Sequence, residues 1–236
     1  MKRLVRISLF SLLLLSVGCR SMNKALFAIP AAPLATRLPL LDVGVDANVF
    51  QASAGANPED AQKLFRLELE RNLMDAKDTT TYGSVKLQLT KSDLQRTGRG
   101  LHIFQLATLM TPTILGIPAE FFHGNVQAEV QIIDVKGNVL ATYTGKGKSN
   151  ITVAMYYGYS QKGSPRLADV QALREALNEI RPQLAADAAA LREQLILAKT
   201  AGVVTVGELP GISTDAPEPA PADSTATPAV TPDTGK

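Results

Sequence analysis

The chain carries little that could do chemistry. Among 236 residues there are two histidines and one cysteine. His102 and His123 stand at the two ends of an apolar stretch, with Glu120 three residues before His123. On a helix that i, i+3 spacing would place a carboxylate and an imidazole side by side, the beginning of a metal site. A site of two histidines would take Glu120 as its third ligand, but Gly116 and Pro118 directly before it work against a regular helix. The histidines therefore read as polar caps on the apolar stretch, and neither metal nor cofactor is expected. Gly158-Tyr159-Ser160-Gln161-Lys162-Gly163 comes near a nucleophile elbow but is one residue too long for GxSxG. Ser21-Met22-Asn23-Lys24 fits SxxK in a stretch where no pocket is expected. Acidic pairs such as Glu68 with Glu70, or Asp42 with Asp46, read as solvated faces of regular elements rather than as carboxylates whose pKa values are split by an apolar pocket. No catalytic residue is assigned, and the expectation is that the protein is not an enzyme.

The lone cysteine is more informative. Met1-Lys2-Arg3-Leu4-Val5-Arg6 is basic, Ile7 to Leu15 is apolar, and Leu15-Ser16-Val17-Gly18 leads into Cys19. This order is that of a secretory signal. Its end resembles the lipobox of bacterial lipoproteins, with Ser16 where Leu is commonest. The resemblance implies a diacylglycerol thioether on Cys19, cleavage before it, and often acylation of the new amine. An ordinary cleaved signal is the rival reading. Ile7 to Gly18 is too short to span a bilayer, which takes ~20 apolar residues. A single acyl chain binds membranes marginally, whereas two or three hold firmly. Arg20, in place of the Asp that commonly retains such proteins in the inner membrane, implies sorting to the outer membrane, most readily on its periplasmic face.

A thioether at Cys19 would leave no thiol for a disulfide, a zinc site or a nucleophile, and a disulfide-stapled secreted domain would carry an even set of cysteines. Removal of Lys2, Arg3 and Arg6 takes three positive charges from a formal +2 and leaves −1. A nucleic-acid partner, which would want a clustered basic face, is not expected.

Beyond the signal, residues 1–18, the chain divides into three zones. Residues 19–37 read as the acylated cysteine and a Pro-bearing tether, and 38–209 as one folded domain of a size that supports a real core. Residues 210–236 hold Pro210, Pro217, Pro219, Pro221, Pro228 and Pro232 among Ala, Thr, Ser and Asp, a composition expected to stay disordered. In the domain, Leu41, Val43 and Val45 alternate with polar or small residues as a half-buried strand does, and Val85, Leu87 and Leu89 do the same. Asn57-Pro58-Glu59-Asp60 opens a helix that runs to about Met74. Val126 to Ile132 and Val139 to Tyr143 form a hairpin across Asp134-Val135-Lys136-Gly137-Asn138. A further alternating stretch runs from Ser149 to about Tyr157. Helical spacing starts at Ser164-Pro165, and Pro182 either kinks one long helix or separates two. The fold class is α+β: a mostly antiparallel sheet with helices on one face.

Leu101 to Phe122 is nominally long enough to cross a membrane, but Pro112, Gly116 and Pro118 interrupt it. Three readings stay open: a buried helix over Leu101 to Met110 with an apolar loop over the sheet, an exposed flap contacting a partner or the membrane, or an inserted segment. The residues that would make such a contact are Leu101, Phe104, Leu109, Ile114, Leu115, Phe121 and Phe122, joined by the aromatic cluster Tyr156, Tyr157 and Tyr159. Arg96-Thr97-Gly98-Arg99-Gly100 is a basic loop suited to headgroup phosphates.

The element order loosely resembles small accessory lipoproteins of the outer membrane. The resemblance implies a non-catalytic binding or assembly accessory in the cell envelope, attached by its acyl chains and working with an envelope protein or a second copy of itself. A membrane-inserting or pore-forming lipoprotein and an envelope hydrolase are the alternatives.

Overall fold

Alternating residues become one four-stranded sheet in the order β1-β2-β3-β4. The strands are β1 (Asp42–Asp46), β2 (Gly83–Thr97), β3 (Glu120–Asp134) and β4 (Val139–Val153). The computed structural model describes residues 22–52, 54–75, 77–109, 111–154 and 158–203. The signal, Cys19, Tyr156, Tyr157 and the Pro-rich tail lie outside them. The described helices are α1 (Met22–Leu26), α2 (Pro58–Glu68), α3 (Arg99–Ala107), α4 (Thr111–Ile114) and α5 (Ser164–Val203). The domain is α+β, with β2, β3 and β4 antiparallel in succession and β1 parallel to β2. A parallel neighbour needs a crossover, and α2 supplies it.

The strands are longer than the alternation suggested. The stretch beginning at Ser149 is, as far as Val153, the last third of β4 rather than a separate strand. A bulge between Leu89 and Lys91 lets β2 continue to Thr97, and that continuation pairs with the start of β3. In the hairpin, Gly137 takes the left-handed conformation (φ 87°). Asp134 Oδ1 accepts from the N–H groups of Lys136 and Asn138 at 2.8 and 2.9 Å. The Asn138 side chain adds a bond to Asp134 Oδ2, and together these hold the Asp134 carboxyl below its ordinary value.

Among the described residues, one face of the sheet is covered and the other is open. The inward row of β3, Val126, Ala128, Val130 and Ile132, is buried against Leu173, Leu177, Ile180 and Leu184 of α5. The helix can approach because both surfaces lack bulk. A Cβ on Gly147 would sit 1.8 Å from the carbonyl oxygen of Ala172, and one on Gly145 2.3 Å from that of Ala176. Gly124 meets Ala168 in the same way, and Ser149 Oγ fills the remaining gap by donating to Ala168 O at 2.7 Å. The edge of β4 is closed by α5 side chains: Glu179 accepts from Lys146 N, and Gln183 donates to Thr144 O.

Pro182 neither ends nor divides α5, which is one helix from Ser164 to Val203. Leu177, Ile180 and Leu184 are buried on both sides of it, and that burial outweighs a proline cost of ~3 kcal/mol. Two ion pairs tie α2 to α5. Arg166 binds Asp60 through Nε and Nη2 at 2.8 and 2.6 Å. Arg181 holds Glu68 through Nε and Nη2, both donating to Oε1, at 2.9 and 2.6 Å. Glu68 is therefore a buried, paired residue and not part of a solvated face. Burial pushes the Asp60 carboxyl up, but the bonds from Arg166 and the Asn57 N–H outweigh it, and the group sits below its ordinary value.

From residue 22 onward, the segment expected to be a tether is part of the body. Leu26, Ile29 and Leu34 are buried. Asn72, in a wide helical turn closed by Met74 N to Leu69 O, pins the segment by bonding Ala32 N and Pro30 O. Arg174 holds Ala28 O at 2.9 Å, and Arg192 holds Arg37 O at 2.6 Å.

Candidate contact surface

Between β2 and β3 the chain leaves the sheet as a flap. Gly98, at φ 91°, turns it into α3, and Gly116, at φ 89°, turns it back. The polarity of this flap is inverted. Ile103, Phe104, Leu106, Leu109, Ile114, Leu115 and Ile117 are all exposed, Leu109 at 87% and Leu115 at 78%. Gln105 and Thr113 point inward and are buried. Among the described residues only Val135, Val139, Ile196 and Leu197 are comparably exposed elsewhere, so most exposed apolar bulk is gathered in one excursion. Of the three readings of this segment, burial of α3 in the core is excluded by that exposure. Leu109 also holds a left-handed backbone (φ 51°), a conformation that costs a branched side chain roughly 1–2 kcal/mol.

The reason for the inversion lies beneath the flap. Glu120 opens β3 facing inward and is fully buried. Arg96 crosses from β2 to meet it, with Nε 3.0 Å from Oε2 and Nη2 against Oε1. Hydrogen bonding to Glu120 pushes the Arg96 guanidinium up from its ordinary value. Gln161 Nε2 donates to Glu120 Oε2 at 3.3 Å, and His102 Nδ1 lies 3.7 Å from Oε1. Gln105 Nε2 donates to Pro118 O at 3.0 Å. The inner side of α3 is therefore polar because it covers a buried charge.

The pleat puts Glu120 and His123 on opposite faces, since three residues along a strand reverse direction. His123 lies on the open face, bonded through Nε2 to Thr97 Oγ1 at 3.0 Å. It is His102, at the far end of the segment and eighteen residues before Glu120, that approaches it. Among the described residues no group of three His, Cys, Asp or Glu could hold a metal. A shallow cleft of about 390 Å³ on the open face is lined by Asp93, Gln95, His123, Asn125, Lys148 and Asn150. A second, of about 380 Å³, lies beside Arg96, Arg99, Phe122 and Gln161.

Of the residues expected to make contact, Phe104, Leu109, Ile114 and Leu115 are exposed, and Leu101, Phe121 and Tyr159 are half-buried. Phe122 is a correction: it is 5% exposed, on the inward row of β3, and takes no part in the outer surface. Tyr156 and Tyr157 lie outside the described residues. Ile103, Leu106 and Ile117 were missed, because apolarity alone did not say which side of the flap faces out. Ser160 sits in the turn before α5, its carbonyl accepting from Ser164 Oγ at 2.7 Å. No described helix is long and apolar enough to cross a membrane. The nine residues of α3 cover about 14 Å.

The class defined by this arrangement is an α+β domain with a single helix-bearing face and a projecting apolar flap. No family model matches the chain, and no curated protein matches it. Among solved structures it is similar to a chain from Caulobacter crescentus CB15 assigned as a lipoprotein, at 13% identity and a TM-score of 0.30, over 65% of this chain and 90% of that one. It is also similar to a homologue of neuraminyllactose-binding hemagglutinin from Helicobacter pylori, at 9% identity and a TM-score of 0.29, over 75% and 97%. At these scores neither likeness transfers a function.

Proposed function

We propose that this is a lipid-anchored protein of the cell envelope, held at the outer membrane through Cys19, that acts as a non-catalytic binding or assembly accessory. The lipobox resemblance supports the address. The inverted polarity of the flap carries the mode of action: a helix with its polar side inward and its apolar side in solvent is completed by something that covers it. The polar side is committed to Glu120, so the flap cannot turn over to hide its apolar side without stripping a buried carboxylate of cover.

Photocrosslinking amino acids at Phe104, Leu109 and Ile114 in whole cells test this, with Thr144 on the open sheet face as control. Capture at the flap positions well above the control is expected, whatever the identity of what is caught. Equal, background labelling at all four positions would refute a contact role for the flap.

A further inference from the structure

We infer that what covers the flap is the acyl layer of the membrane that carries the protein's own lipid anchor, making the flap a second, peripheral attachment that orients the domain. This rests on the contact reading above and names its occupant. From Gly100 to Ala119 there is no Asp, Glu, Lys or Arg. Protein-binding patches carry a polar rim around their apolar centre, whereas a lipid-facing segment tolerates no charge at depth. The first cation, Arg99, is exposed at the base, at the level where phosphates would lie.

Backbone bonds on either side of the tip close within the flap itself. Thr108 N donates to Phe104 O, Leu115 N to Thr111 O, Gly116 N to Thr113 O and Ile117 N to Pro112 O, at 2.9 to 3.2 Å. Two of the flap's three threonine hydroxyls do the same: Thr108 Oγ1 donates to Phe104 O at 2.9 Å and Thr111 Oγ1 to Thr108 O at 2.6 Å, while Thr113 Oγ1 is buried on the inner side without a partner. A segment entering hydrocarbon must meet that condition, and one docking on a protein need not.

The path of the chain toward its anchor agrees. The N-terminal segment runs back along α5, from Arg37 beside Arg192 to Ala28 beside Arg174, and α1 also lies against α5. That direction leads toward Ser164, next to Gln161, which reaches the flap's base at Glu120. Arg174 is ten residues, about 15 Å, from Ser164. Cys19 precedes Met22 by three residues, a reach of about 10 Å. The described part of the N-terminal segment thus runs toward the end of α5 that adjoins the flap's base, and in this inference an anchor three residues before Met22 meets the same bilayer as the flap.

The chain contains no tryptophan, so single probes read out cleanly. The acylated full-length protein carrying Leu109→Trp or Leu115→Trp would be reconstituted in phosphatidylethanolamine–phosphatidylglycerol vesicles, with and without mid-chain brominated lipid. Thr144→Trp serves as a folded control on the open face. Blue-shifted emission at both flap positions, strongly quenched by brominated lipid, is expected, with water-like, unquenched emission at Thr144→Trp. Blue-shifted emission that brominated lipid leaves unquenched would mean cover by a second copy; it would overturn the lipid inference and leave the contact reading standing. Water-like, unquenched emission at the flap overturns the lipid inference as well, and the whole-cell crosslinks then decide the contact reading separately.

Discussion

Replacing Gly147 by alanine should damage this domain more than any conservative change at its surface. A Cβ there would lie 1.8 Å from Ala172 O and 2.5 Å from Ala176 N, both backbone atoms of α5. Carbon and oxygen normally approach no closer than about 3.3 Å, so strand and helix would have to part by about 1.5 Å. No rotamer relieves the clash, because neither obstacle is a side chain. A gap of 0.5–1 Å already forfeits roughly a quarter to a half of a dispersion contact, and here it would run beneath the buried Ala172, Leu173 and Ala176. Overpacking ordinarily costs ~1–3 kcal/mol; with backbone on backbone we expect about 3 kcal/mol. For a domain of this size that is roughly a 10 °C fall in melting temperature. Urea unfolding of the acylated protein in detergent, followed by far-ultraviolet circular dichroism, measures it. Gly44→Ala is the control: its nearest atoms would be 3.9 Å away and its backbone is ordinary strand. A Gly147→Ala variant as stable as the Gly44→Ala control would refute the seating of α5 on β4.

The Arg96–Glu120 pair predicts an asymmetry. Arg96→Met strands a buried carboxylate, a change that costs ~3–5 kcal/mol for fully buried pairs; with the Arg96 side chain 36% exposed we expect about 1–3 kcal/mol after screening. Glu120→Gln leaves an arginine that can reach water, so it should cost less, and the reverse order in chemical denaturation would contradict the burial described. Asp60 and Asp134 both sit below their ordinary values. Their contribution to stability is therefore complete above the unfolded carboxylate value, about 3.9, and is lost as the pH falls through the lower folded value. Asp60→Asn should flatten the acid limb of a stability–pH profile, and an unchanged limb would show that Arg166 does not depress this carboxyl. Leu115→Glu should leave the melting temperature within about 1 °C, as exposed substitutions do, while cutting flap crosslinks in cells severalfold. Cys19→Ser should abolish acylation, detected by mass spectrometry; an acylated product would place the anchor elsewhere.

Much of the frame was readable from local pattern. Val126, Ala128, Val130 and Ile132 alternate because one side of β3 faces a core, and the turn at Asp134 to Asn138 declares itself by its glycine. The start of α2 at Asn57-Pro58 follows from the same local chemistry: Asp60 Oδ2 accepts from Asn57 N at 3.1 Å. The full length of β2 was not readable, because beyond Lys91 its residues are half-buried or exposed and its pairing comes from β3. Nor was the continuity of α5. Pro182 argues locally for a break, and only burial on both sides of it argues against one.

The flap separates the two kinds of information most sharply. Sequence alone determined that Gly100 to Ala119 is apolar, uncharged and interrupted by Pro112, Gly116 and Pro118. Those properties suit a core, a membrane or a partner equally, because hydropathy carries no direction. Direction came from one long-range pairing. Glu120 faces inward because it belongs to the buried row of β3. Arg96 reaches it because Arg96 and Phe122 are cross-strand partners. His102 and Gln105 then face inward to cover a charge that water cannot reach, and Ile103, Phe104, Leu106 and Leu109 are left outside. The apolar content was local, and its exposure was decided by the cost of a buried carboxylate eleven to seventeen residues further along the chain.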